Sequence, residues 1–584
     1  MEAVWTVRPP ASQAEALARD AGVPPLLAGL LLSRGAATPA EARGFLQPDA
    51  SGLHDPSLLL GAPEAAEVLV AAARARRRIV VFGDYDVDGV TAVAQLRAAL
   101  LRAGADAVAF LPHRLKDGYG LRPETVRRVL DELRPAVLVT VDCGITAVEG
   151  VACARAAGVE VIVTDHHLVP AELPAGAVVV NPRQPGCRYP EKELAACGIA
   201  FKLAEAVAAR AGIRLARESL LRAAALGTIA DLVPLRGENR TIAALGLAAL
   251  AAPRAPGLRA LLREAGVAEG RPPTSEEVAF RVAPRLNAAG RLDTAELALA
   301  LFEEKDAPRA FEIAHELSVR NAERQAIERR VVAEARERIE RECDAGSEAI
   351  LVLASAGWHR GVLGIAASRL AREYHRPVLL FSLEDGRARG SGRSIPGVSL
   401  HGVLSEIRGI FDELGGHEQA VGGGLPAGRF EEMREAARSL FAARIPAALL
   451  SPVREAEAEL AADDVTPELL AWLERLEPHG MGNPRPLFAG RLRAASAFRP
   501  LGATGARGAA LRPGGGGDLR CVSWNPGPLG DIRRGEEFDA HFTLRRGRDG
   551  VAEAEIAAAR RPSGAEGGPG GGAGIPVFCP ADAS

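Results

Sequence analysis

Residues 78–89 read RIVVFGDYDVDG, residues 136–142 AVLVTVD and residues 159–167 VEVIVTDHH. Each is a short apolar run that ends in acids or imidazoles. Runs this short and this apolar read as strands buried on both faces, and the helical patterns between them, GVTAVAQLRAALLRAGA at 89–105 and another near 123–133, make the connections crossovers. With AVAFL at 107–111 and AVVVN at 177–181 as further strands, the predicted fold is α/β, a parallel sheet with helices on both faces. Ligands of such sheets bind beyond the carboxyl ends of the strands, which is where Asp84, Asp86, Asp88, Asp142, Asp165, His166 and His167 fall.

Adjacent strands run about 4.8 Å apart, so these side chains can converge on one small volume. That many carboxylates repel one another strongly unless cations neutralise them. With Asp231 in LGTIADLVPL, the set supplies enough ligands for two divalent cations sharing a carboxylate, an arrangement suited to phosphoester displacement. Hard oxygens with one or two imidazoles favour manganese or magnesium. Any one of these acids, taken alone, reads more readily as a helix N-cap or turn former than as a ligand; their order along the chain is the signal.

Outward from this core, residues 1–50 are predicted to be a helical extension, with Thr38 as an N-cap before Pro39 and Glu41. The first α/β domain spans 51–255, beginning with a helix through ARARRR. Residues 256–345 hold a motif segment and one long charged helix over 309–342, about 50 Å at 1.5 Å per residue. A second α/β domain covers 346–450. Residues 451–562 carry Gly- and Pro-broken strand patterns that predict a small OB-like β-barrel, and 563–584 a flexible Gly-rich tail. The charge runs RARRR and ERQAIERR read as solvated helix faces.

A formal charge of −3 over 584 residues argues against a protein that coats nucleic acid, so any such site must be a local groove. The N-terminus lacks a signal-peptide pattern and no later apolar run approaches about 18 residues, which predicts a cytoplasmic protein with no membrane association. Cys143, Cys153, Cys187, Cys197, Cys343, Cys521 and Cys579 form no CxxC pair and read as reduced thiols.

The ordered set GDYDVDG, VTVDCGI, VTDHH and GTIADLVPL resembles the four motifs of the DHH phosphoesterase superfamily, and GGHEQAVGGGL at 415–425 resembles the glycine-histidine motif of its DHH-associated domain. RVAPRLNAAGRL at 281–292 and PHGMGNPRPLF at 478–488 are similar to the RecJ branch of that superfamily. The resemblance covers about residues 30–560. It implies a DHH domain joined by the long helix to a DHH-associated domain, followed by the barrel. It also implies a metal-dependent 5′→3′ exonuclease that degrades single-stranded DNA to mononucleotides in repair and recombination; a cleft between the two α/β lobes too narrow for duplex is the hypothesis for its strand specificity.

Carried over by residue, the resemblance implies that Asp86 and Asp142 hold one ion and that Asp88, Asp142, His166 and Asp231 hold the other. Asp142 would be the bridge. Asp84 would join the first ion or orient its water, His167 would face the scissile phosphate, and Asp165 would orient its neighbours. Phe82 stands where some superfamily members carry a histidine ligand. Strand contacts would come from Arg114, from Arg285 or Arg291 with Asn287, and from Ser391 and Arg393, because an Arg fork matches a phosphate. Tyr119 reads as a base-stacking or a turn-packing residue, and His417 as a ligand contact or a structural histidine. Expected partners are single-stranded DNA, a RecQ-type helicase and a single-strand-binding protein, and a monomer is expected because two lobes can form a cleft within one chain. Two rivals stand beside this reading: a DHH enzyme acting on small substrates (a nanoRNase, a cyclic-dinucleotide phosphodiesterase or a pyrophosphatase), and a scaffold that has lost the chemistry.

Overall fold

The computed structural model describes residues 3–114, 116–118, 120–344, 346–501, 507–511, 519–524, 529, 532–547 and 550–562. The chain divides into two units, one of Glu15–Ala322 with Arg475–Arg485, the other of Met1–Ala14, Glu323–Glu474 and Pro486–Ser584.

In the first unit, five parallel strands run in the order Ala107–Phe110, Ile79–Phe82, Val137–Val141, Glu160–Thr164 and Val178–Val180. The strands leading to the DxDxD run, Asp142 and the DHH run are adjacent, and pairing of Phe82 with Thr140 and of Val141 with Thr164 aligns their carboxyl ends. Alternate residues feed opposite cores. Ile79, Val81, Val137 and Val139 pack with the Val87–Arg102 and Ala196–Ala211 helices, whereas Val80, Phe82, Leu138 and Val163 pack with Val126, Val129, Val151 and Ala154 of the Pro123–Leu133 and Val148–Ala156 helices. This double coverage is why the strands read as unbroken apolar runs.

Several predicted details differ. The helix expected through ARARRR ends at Arg74 and Arg76 is left-handed (φ +52°), so RARRR is solvated as expected but is a turn and not a helix face, with Arg77 and Arg78 bonding Glu160 and Asp106 at the surface. The long helix is Ala307–Glu342, and in its ERQAIERR run Arg324 is 8% exposed and donates to Glu328. The N-terminal segment contains the helices Ala14–Ala21, Pro25–Ser33 and Pro39–Leu46, the last opened by the Thr38–Glu41 capping box. It begins, however, with a strand, Val4–Val7, paired in parallel with Val453–Ala456 of the second unit, a partner more than 440 residues away that no local pattern reveals. Residues 475–485, predicted within the barrel segment, belong to the first unit.

The second unit holds a five-stranded sheet, Glu413–His417, Ala420–Pro426, Arg387–Arg393, Val378–Glu384 and Leu351–Ser355 in order, in which only the last two strands are mutually parallel. It also holds a seven-stranded sheet whose order is Ala458–Glu459, Phe488–Arg493, Glu537–Arg546, Ala552–Arg560, Leu519–Ser523, Arg507–Leu511 and Arg499–Pro500. The tail at 563–584 and Tyr119 lie outside the described residues. Among the described residues no single helix is long and apolar enough to cross a membrane, and the six described cysteines are free.

Candidate active site

The acidic loop is a tight strand-to-helix turn that only glycine permits at two positions. A Cβ on Gly83 would lie 2.3 Å from Val93, and one on Gly89 would lie 2.6 Å from the Asp84 carbonyl oxygen. Asp86 caps the Val87–Arg102 helix by accepting from the Gly89 N–H at 3.1 Å, so it is both an N-cap and a member of the cluster. Asp88, 1% exposed, accepts from the N–H groups of Ala196 and Cys197 at 2.8 Å each, at the N-terminus of the Ala196–Ala211 helix, where the helix dipole favours an anion. Asp142 follows its strand with left-handed backbone (φ +63°), and Asp231 ends the Arg217–Ala230 helix.

These elements bring ligand atoms together in three overlapping sets, each within 4.8 Å: Asp84, Asp86 and Asp142; Asp88, His166 and Asp231; and Asp142, His166 and His167. His166 Nε2 lies 3.3 Å from Asp142 and 3.7 Å from Asp231. Asp165 stands outside the sets. One of its oxygens accepts from the Ile145 N–H, and the other bonds the His166 and His167 N–H groups and His167 Nδ1. It therefore orients both histidines. Asn181, fully buried at the end of the Val178–Val180 strand, completes this support by donating to the His167 carbonyl at 3.0 Å.

Burial, then the neighbouring acids, holds the carboxyls of Asp84, Asp142 and Asp231 well above the ordinary range, and pushes Asp88 up to about 6. Burial, then the charge of His167, lowers His166 to about 3, leaving a neutral ring with a lone pair at neutral pH. Burial also disfavours the His167 cation, but the Asp165 bond and charge outweigh it and raise that group. His166 Nε2 and Asp84 Oδ1 are buried without a hydrogen-bond partner among the described residues. Orphaned donor atoms beside mutually repelling carboxylates, all hard oxygen or imidazole nitrogen, fit divalent cations.

The predicted strand contacts divide. The Arg114 guanidinium stands 4.8 Å from the Tyr85 ring centre and its charge reaches Asp84, and the charge of Arg291 reaches Tyr85. Arg285 and Asn287, both partly buried, make hydrogen bonds within the chain. Arg285 donates to Ser318 and to the Arg281 carbonyl, and the Asn287 side-chain oxygen accepts from the Val87 N–H at 3.2 Å. RVAPRLNAAGRL starts within a π-helical turn, Val278–Val282, and continues as the Ala283–Leu292 helix. Gly290 lets that helix reach the acidic loop, since a Cβ there would sit 2.5 Å from the Tyr85 carbonyl oxygen.

Ser391, Arg393 and His417 lie on the five-stranded sheet of the second unit. Arg393 donates to Ser391 Oγ at 3.1 Å, and a Cβ on Gly364 would meet both side chains. His417 is exposed at the tip of the Glu413–His417 and Ala420–Pro426 hairpin. Tyr85 and Asn181 were not anticipated. Asn181 had a signal, because it ends AVVVN as the acids end their strands; Tyr85, between two of the acids, did not stand out from them.

Residues 78–228 match the DHH family N-terminal domain, 347–443 the DHHA1 domain and 456–548 the RecJ OB domain. The chain is 38% identical to the single-stranded-DNA-specific exonuclease RecJ of Bacillus subtilis, over 82% of this chain and 61% of that protein, and thus spans rather under two thirds of that relative. It is 38% identical to the RecJ of Dickeya dadantii over 81% of this chain and 84% of that protein. The crystal structure of Thermus thermophilus RecJ in complex with Mn2+ superposes with a TM-score of 0.81 at 33% identity, covering 97% of this chain and 81% of that one, and its Mg2+ complex with a TM-score of 0.75 at 32% identity, covering 97% and 80%. Three domain matches in order, together with identity at this level over most of a relative's length, carry the conclusion that the chain belongs to the RecJ family of DHH phosphoesterases.

Proposed function

We propose that this chain is a metal-dependent 5′→3′ exonuclease that hydrolyses single-stranded DNA to mononucleotides, in the service of repair and recombination. The observation that carries the reading is the convergence of Asp84, Asp86, Asp88, Asp142, His166 and Asp231 in overlapping sets within 4.8 Å. Asp84, Asp86 and Asp142 would hold one divalent ion, and Asp88, His166 and Asp231, sharing Asp142, the other. Manganese or magnesium suits the donors, and both occur with the Thermus relative. When bound, such ions neutralise the carboxylates and polarise the phosphoryl oxygens and the attacking water.

The remaining work falls to the chain itself. Asp84 has a carboxyl oxygen that is buried without a hydrogen-bond partner among the described residues, which suits it to orient the attacking water beside the ion. His167, aimed by Asp165 and inclined to hold its proton, can donate to a phosphate oxygen as negative charge builds there. Arg114 and Arg291 flank Tyr85 and can grip the strand's backbone phosphates. Ser391, Arg393 and His417 are proposed as further strand contacts. A RecQ-type helicase and a single-strand-binding protein as suppliers of single strands, a monomeric state and a cytoplasmic setting complete the proposal.

The test is a substrate panel with Mn2+: a 5′-labelled single strand, a blunt duplex, 5′-pGpG and pyrophosphate, with products identified by mass. Mononucleotides from the single strand, at a rate far above any turnover of the small substrates, are expected. Turnover of pGpG or pyrophosphate alone would place the chain with the small-substrate enzymes, and inertness towards all four would place it with scaffolds.

A further inference from the structure

Leu232 directly follows Asp231 and is 60% exposed; its backbone is left-handed, with φ +62°. A single exposed leucine needs no explanation. An exposed leucine in this conformation does, because the Cβ of an L residue crowds the following carbonyl there at a cost of roughly 1–2 kcal/mol. Among the described non-glycine residues with positive φ, the others are Arg76, Arg134, Asp142, His375 and Asp385, so Leu232 is the one aliphatic member. The chain thus carries backbone strain and leaves apolar surface in water at the same residue, where Asn or Gly would relieve both. Strain of this kind gathers where a side chain serves a ligand.

The surroundings say which ligand. The Asp231 carboxylate reaches His166, and Leu168, two residues beyond His166, is also 60% exposed. The segment after Leu232 is braced by PHGMGNP: the Leu235 N–H donates to the Met481 carbonyl at 2.7 Å, and Arg236 Nε donates to the Gly482 carbonyl at 2.9 Å. Met481 is 54% exposed in turn. Leu232 and Leu168 thus adjoin cluster residues along the chain, and the segment after Leu232 is held by PHGMGNP. A nucleotide whose phosphate sits at that cluster has one apolar part, the face of its base, and every base has such a face.

We infer that Leu232, with Leu168 beside the histidines, packs against the base of the nucleotide being removed and so positions it without reading its identity. This rests on the exonuclease reading proposed above. Leu232 is a positioning residue of the substrate, contributing to its binding and not to proton transfer.

The experiment compares kcat/KM of the full chain with Mn2+ on two 5′-phosphorylated single strands, one bearing a base and one abasic at the first nucleotide. Wild type is expected to favour the base-bearing strand about fivefold, the order expected for partial burial of one leucine. Leu232→Asn keeps the size and accepts left-handed backbone, and is expected to unfold no lower than wild type while losing that preference through KM. Leu232→Met is expected to retain it, and Leu168→Ala to weaken it. A purely structural Leu232 would alter the melting temperature and leave the preference intact, and that result would overturn the inference, as would a wild type with no preference. A wild type that cleaves neither strand would instead refute the exonuclease reading itself.

Discussion

Replacing Asp142 with Asn should separate what the cluster costs the fold from what it does for function. Asp142 is 2% exposed, and its ligand atom lies within 4.8 Å of those of Asp84 and Asp86. Two unit charges at that distance repel by about 3–4 kcal/mol at an effective dielectric near 20. Uptake of a proton by groups already raised well above the ordinary range relieves part of that repulsion, so the variant recovers only what remains. Asn adopts left-handed backbone as readily as Asp, so the φ of +63° adds no cost. In EDTA, Asp142→Asn should therefore melt several degrees above wild type. In Mn2+ the order should reverse: saturation at about 100 Kd stabilises wild type by about 2.7 kcal/mol, while the variant, lacking the shared carboxylate, should gain little. Thermal unfolding with and without Mn2+ reads both. A variant less stable than wild type in EDTA, or one stabilised by Mn2+ as much as wild type, would refute the reasoning.

The pH dependence of the metal-free protein follows from the same acids. Folded pKa values above the unfolded ones make their contribution to stability complete at low pH and lost as pH rises through the folded value. For Asp88, a rise from 3.8 to about 6 is roughly two units, or about 3 kcal/mol lost between about pH 4 and 7; denaturant titrations in EDTA across that range should show the fall, and a flat profile would contradict it. Lys202 and Glu238 form a fully buried pair at 2.7 Å, with the Tyr189 hydroxyl on the same carboxylate, so Lys202→Met should destabilise by about 3–5 kcal/mol by stranding that charge, measured by urea unfolding. Gly290→Val should push the Ala283–Leu292 helix off the acidic loop, lowering DNA hydrolysis by about tenfold or more while Mn2+ binding by calorimetry changes less.

The parts of this molecule legible in the sequence are those set by local pattern. Buried strands, crossover helices and the acids at strand ends are each written in fewer than ten residues, and the register of Phe82 with Thr140 and of Val141 with Thr164 then brings them together. Long-range pairing was not legible. The Val4–Val7 strand depends on a partner at 453–456, and residues 475–485 return to the first unit through Arg240, which donates to the carbonyls of Arg475, Leu476, Glu477 and Pro478 while buried at 1% exposure. Side-chain direction was not legible either. Arg285 and Arg291 sit six residues apart in one motif, yet the first is tied to Ser318 while the charge of the second reaches Tyr85.

Release of nucleotides from a 5′-labelled strand tests most directly whether the Asp84–Asp231 cluster is the centre of a metal-dependent, single-strand exonuclease. Wild type with Mn2+ should release labelled mononucleotides from the single strand and not from a blunt duplex of the same sequence. The same reaction in EDTA, or with Asp142→Asn in Mn2+, should release none. Release by Asp142→Asn at the wild-type rate, or equal digestion of the duplex, would contradict the account.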